Sequence, residues 1–102
     1  MAIFLYRLNP PRPTFPADMT REEGEAMERH FRHWQDELAR GHALVFGPVA
    51  DPHGTYGLAI LNVADEAAAR AICADDPVLR ANLGFTFALH EMPDAMAKGV
   101  DA

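Results

Sequence analysis

The segment from Glu28 to Trp34, ERHFRHW, sets His30 and His33 three residues apart beside two aromatic rings. Residues three apart are neighbours on a helix. Two imidazoles so placed can share a metal ion, supply half of a catalytic pair, or simply edge the helix. A metal asks for three or four ligands, and no other His, Cys or carboxylate cluster in the chain has ligand spacing. No metal is therefore expected. An imidazole titrates near physiological pH, which makes it a natural proton acceptor. Met27, Phe31, Trp34 and Leu38 recur at i, i+4, i+7 and i+11 and form one apolar stripe. At about 100° per residue, His30 falls roughly 70° from the centre of that stripe, and His33 lies about 60° further toward solvent. The border position of His30 suits a half-desolvated base facing a cleft. It equally suits a polar residue bonded to a backbone carbonyl.

Other residues offer chemistry of their own. Asp76 precedes Pro77, the pattern of a helix N-cap. Gly47-Pro48 reads as a strand end, or as a place where a ligand approaches the backbone. Arg7 and Arg12 can hold an anionic substrate or form ion pairs. Trp34 and Tyr6 read as core aromatics that can also line a pocket. Cys73, the only cysteine, sits in an alanine-rich helix and reads as a small buried hydrophobe.

Positioning these residues falls to a small set of elements. Ala2 to Leu8, AIFLYRL, lacks clean alternation and reads as a strand buried on both faces. Asn9 to Met19 carries four prolines and reads as a stiff extended loop, too long for a plain connector. Thr20 and Glu23 form a capping box that starts a helix, and Gly41 is its natural terminator. His42 to Val49 and Thr55 to Val63 read as strands joined through the turn around DPHG. Asp65 caps a second helix, with Ala68, Ala71 and Ile72 expected on its inner face, and Asp76 caps a further helical turn. Gly84 to Met92 is the last strand. The order β-α-β-β-α-β predicts an α+β, ferredoxin-like fold: an antiparallel four-stranded sheet with two helices on one face. The uncovered face calls for a second copy of the chain.

Taken together, FLYRLNPPRPTF, MERHFRHWQDEL, VFGPVADPHGTYGLAI and DDPVLRANLGFTF resemble the YCII-related family, from Ile3 to about Met92. The resemblance implies a ferredoxin-like fold that pairs into a dimeric α+β barrel. It also implies an active site built on His30 and Asp76, with lyase-type chemistry in some relatives, including loss of chloride from small hydroxylated aromatics.

The bulk composition narrows the field. At 102 residues the chain suits one domain, with residues 1–92 as core and 93–102 as tail. A net charge of −6 and the lack of a basic stripe argue against nucleic acid. No apolar run approaches the ~20 residues of a membrane span. The opening segment lacks a basic n-region, so no signal peptide is read, and one cysteine fits a reducing cytoplasm. No flavin, nicotinamide or phosphate-loop motif is present, so no cofactor is expected. The expectation is a homodimeric, cofactor-independent enzyme acting on a small polar or phenolic molecule. His30 and Asp76 would be catalytic, and Arg7, Trp34, Gly47 and Pro48 would contact the substrate. A non-catalytic binding module and a quinol-type monooxygenase are the alternatives.

Overall fold

Strand β1 (Ala2–Asn9) runs through the middle of the molecule, and its register organises everything else. In the computed structural model, which describes residues 1–100, it is followed by α1 (Arg21–Ala39), β2 (Ala43–Val49), β3 (Tyr56–Val63), α2 (Glu66–Ala74), the single turn α3 (Pro77–Arg80) and β4 (Thr86–Glu91). The sheet order is β2-β3-β1-β4, with every neighbouring pair antiparallel. This is the expected ferredoxin-like α+β arrangement. Residues 101–102, the end of the tail expected to stand apart from the core, lie outside the described residues.

Alternation along the sheet separates two faces. Phe4, Tyr6 and Leu8 point to the helices and are 1–3% exposed. Their partners Leu61 and Ala59 share that face and are equally buried. Gly57 lies opposite Leu8, where a Cβ would come within 3.1 Å of the Leu8 Cβ, so the close approach depends on the missing side chain. The other face is only partly buried within one chain, at Ile3, short of the two-sided burial expected of β1. Arg7 is exposed, and the cross-sheet row Leu5, Ile60 and Val45 meets no helix. Val45 is 51% exposed.

Local signals at the helix ends act as expected. The Thr20 side chain accepts from Glu23 N–H while the Glu23 carboxylate accepts from Thr20 N–H, and Gly41 follows the helix at φ +82°. Asp65 accepts from Ala68 N–H, and Asp76 from Val78 N–H. The faces the helices bury differ from those expected. The buried residues of α1 are Glu23, Ala26, His30, Trp34 and Glu37, whereas Phe31 and Leu38 are 45% and 43% exposed. Two carboxylates can be buried here because each has partners. Glu23 accepts from Arg12 and the backbone of Thr20, and Glu37 pairs with His42 at 2.7 Å. In α2 the buried residues are Ala69 and Cys73, and Ala71 is exposed. Gly47 and Pro48 lie inside β2 and do not end it. Because β2 is an edge strand, a proline without an N–H is tolerated there.

Candidate active site

Asp76 is the most deeply buried carboxylate of the fold, at 0% exposure. It stands where α2 hands over to α3, and its charge is met by donors from three other places. Oδ2 accepts from Tyr6 Oη of β1 at 2.9 Å, from Trp34 Nε1 of α1 at 2.8 Å, and from His30 Nδ1 at 2.8 Å. Oδ1 accepts from Val78 N–H at 3.1 Å and lies 3.0 Å from His30 Nδ1. Burial pushes the Asp76 carboxyl up, but the hydrogen bond and charge of His30, with the bonds from Trp34 and Val78, outweigh it and hold the group below its usual value. The same carboxylate raises the Tyr6 hydroxyl, after burial itself as the larger cause.

An ionised carboxylate only accepts hydrogen bonds, so the proton between the two groups sits on His30 Nδ1, and in the neutral imidazole the lone pair is then on Nε2. Among the described residues Nε2 has no hydrogen-bond partner, and it is not sealed away from solvent. The imidazole is 8% exposed and borders a cleft of about 210 Å³. The floor of that cleft is Leu8 and Gly57, one wall is Met27 and Phe31 of α1, and another is Phe46, Gly47 and Pro48 of β2. Phe15 and Pro16 of the proline loop close the remaining side. Phe15 is 7% exposed and packs edge-on against Phe85, with centroids 5.2 Å apart. The loop is tied down by Arg12, which bonds Glu23 of α1 and Asp18 of the loop. Arg12 is thus an ion-pairing residue.

His30 and Asp76 are therefore brought together at hydrogen-bond distance beside an open pocket, and Gly47 and Pro48 line that pocket. A Cβ on Gly47 would meet nothing within 4 Å. His30 stands at the centre of the buried face of α1, not at its border, because the carboxylate partner draws it inward. His33, expected in water, is half-buried with Nε2 3.0 Å from the carbonyl oxygen of Ile72. Arg7 and Trp34 do not line the cleft. Arg7 lies on the opposite sheet face, with its guanidinium 3.8 Å from the centroid of the Tyr56 ring. Trp34 is 1% exposed and lies behind Asp76 as a donor. Sequence reasoning missed the role of Tyr6 and Trp34 as donors to Asp76. The available signal was that each carries a polar tip that must find a partner once the ring is buried. Among the described residues, no three His, Cys, Asp or Glu side chains gather to hold a metal ion, and no helix is long and apolar enough to cross a membrane.

Comparison with known proteins places this geometry in context. The model of the YCII-related domain matches residues 4–93. Among solved structures, 5-chloro-2-hydroxyhydroquinone dehydrochlorinase (TftG) from Burkholderia phenoliruptrix, in complex with 2,5-dihydroxybenzoquinone, is similar in fold. Its TM-score is 0.57 at 15% identity, covering 88% of this chain and 91% of that one. SnoaB, a cofactor-independent oxygenase from Streptomyces nogalater, matches with a TM-score of 0.46 at 15% identity, covering 97% of each chain. No curated protein sequence matches the chain.

Proposed function

The chain belongs to the YCII-related domain family, and from that premise we propose that it is a small cofactor-independent enzyme in which His30 is the proton acceptor and Asp76 its orienting carboxylate. The observation that carries this reading is the 2.8 Å bond from His30 Nδ1 to a fully buried Asp76, with the other ring nitrogen left free beside an apolar cleft. Nε2 takes a proton from a hydroxyl or an activated carbon of the bound molecule. The imidazolium so formed is stabilised by the Asp76 charge at its back. If the freed electron pair can form a double bond to a saturated carbon bearing a leaving group, which for a phenol means the keto form of the ring, that group departs with its bonding pair and the reaction is a lyase-type elimination. The dehydrochlorinase of like fold performs loss of chloride on a hydroxylated ring, which supports a phenolic substrate here. Gly47 and Pro48 contact that substrate from the β2 wall.

A homodimer is part of the proposal. The row Leu5, Ile60 and Val45 leaves an apolar sheet face without cover, and a second copy of the chain would bury it.

A turnover screen of small phenolic compounds bearing leaving groups, followed by absorbance, tests the chemistry. His30→Ala is expected to lower turnover by about 10²-fold or more. His33→Ala removes a bond to the Ile72 carbonyl and an edge-on contact with Trp34, neither of them in the cleft, and leaves turnover nearly unchanged. Full turnover in His30→Ala would remove the proposal. Binding of the same compounds without turnover in the wild type would convert the enzyme into a binding module.

A further inference from the structure

The cleft contains one place where negative charge can be balanced. Its lining is Leu, Pro, Phe, Met and Gly, with Thr55, Tyr56 and His30 as the polar side chains. Among the described residues no arginine or lysine borders it. Two arginines lie nearby, and both are engaged. Arg12 is held by Glu23 and Asp18 at 2.7–2.9 Å, and Arg7, outside the lining, bonds Asn9 Oδ1 at 3.0 Å and packs its guanidinium 3.8 Å from the centroid of the Tyr56 ring that borders the cleft. Behind the imidazole stands the ionised Asp76, a fixed negative charge. An anionic group entering the cleft therefore finds hydroxyl-bearing Thr55 and Tyr56 but no cation in the lining to offset its lost hydration, which is unfavourable. It can instead capture a proton on His30 and pair with the imidazolium. That occupies the only base, and nothing remains to remove a second proton.

From this we infer that the site selects an uncharged single-ring acid and rejects ring compounds that carry a permanent carboxylate or phosphate. The inference rests on the reading of His30 as proton acceptor and adds the charge class of the substrate. The ring itself is matched by the walls. Phe31 and Phe46 stand with centroids 6.2 Å apart on one side, and Phe15 with Phe85 on the other. An apolar cavity of about 150 Å³ holds a benzene molecule, so a cleft of about 210 Å³ takes one ring with one or two small substituents. Negative charge then arises only at the atom facing Nε2, at the moment the imidazole becomes positive.

The test is a matched pair of probes, 4-hydroxybenzamide and 4-hydroxybenzoate, which differ in charge and hardly in size. Binding to the full chain is followed by calorimetry and by NMR shifts at His30, Phe46 and Tyr56. The uncharged amide is expected to bind in the cleft at least tenfold more tightly than the carboxylate at neutral pH. Equal or tighter binding of the carboxylate overturns the inference, as does failure of the amide to perturb the cleft residues. His30→Gln separates the two readings. If the carboxylate wins while turnover of a phenolic substrate still depends on His30, charge selection fails and the base stands. If the amide wins but turnover survives His30→Gln, the base fails and the charge selection of the cleft stands.

Discussion

Replacing Asp76 by asparagine exchanges one carboxylate oxygen for an NH2 and removes the charge, and the structure says what each change does. The carbonyl oxygen of the amide takes the Oδ2 position, where it still accepts from Trp34 Nε1, Tyr6 Oη and His30 Nδ1. The amide NH2 then occupies the Oδ1 position, 3.1 Å from Val78 N–H and 3.0 Å from His30 Nδ1. Facing Val78 it sets donor against donor, so the cap of α3 is lost and one buried N–H is orphaned, at about 1–3 kcal/mol. Facing His30 Nδ1 at 3.0 Å it again sets donor against donor, so the imidazole keeps its Nδ1–H bond to the neutral carbonyl oxygen alone and loses the negative charge behind it. Loss of the charge-assisted bonds adds about another 1 kcal/mol. The sum, about 2–4 kcal/mol, is a large share of the roughly 5–15 kcal/mol that holds such a domain together, but it leaves the fold populated in the cold. Urea unfolding followed by the fluorescence of Trp34, the single tryptophan, measures the first effect. Nitrogen-15 NMR of the imidazole measures the second, as a weakened hydrogen bond at the Nδ1 proton. Turnover should fall by about 10²-fold or more in the folded variant, because the imidazolium formed on proton transfer has lost the charge that stabilises it. A stability loss under 0.5 kcal/mol together with unchanged turnover would refute the account of Asp76 as an ionised acceptor.

Acid should undo two anchors in the same direction. The bonds from Arg12 and from Thr20 N–H hold the Glu23 carboxyl down at about 2, and Asp76 is also depressed. Each stabilises the fold fully above its unfolded value near pH 4 and loses that contribution as pH falls toward its folded value. Acid titration of stability should therefore be shallower between pH 5 and about 2 in Glu23→Gln than in the wild type, and an equally steep curve would remove Glu23 from the account. Light scattering at micromolar concentration should give twice the chain mass of 11.2 kDa, and Val45→Lys, on the open sheet face, should return it toward the monomer. A wild-type mass of one chain rules out the dimer. Burial, with the nearby Asp76 charge, pushes the Cys73 thiol up to about 12 against the weaker pull of Arg70. It should resist thiol reagents at pH 8 until the chain is unfolded in urea, and rapid labelling of the folded protein would contradict its placement under α2.

The local grammar of the chain was legible in its sequence. Thr20 with Glu23, Asp65, and Asp76 with Pro77 all announce helix starts, because a cap is a bond between residues two or three apart and needs nothing else from the fold. Strand order followed from the succession of elements and the short turn at Asp51 to Gly54. The pairing of His30 with Asp76 was expected from family resemblance and not from spacing. No local rule relates two residues 46 positions apart. The rotation of α1 was not legible either. Its apolar stripe pointed to Phe31 and Leu38, yet the helix buries Glu23, His30 and Glu37. Hydrophobicity ranks side chains by what they lose in water, whereas burial also depends on the partner each finds. Arg12, His42 and Asp76 supply those partners from other elements. For the same reason Tyr6 and Trp34 could be read as core aromatics but not as donors to one carboxylate, since their bonds to Asp76 span 70 and 42 residues. The sequence by itself determined where each helix starts and, to within about two residues, where each strand lies. Tertiary structure alone decided which face each element turns inward, because only the assembled sheet and helices bring a buried charge within reach of the groups that satisfy it.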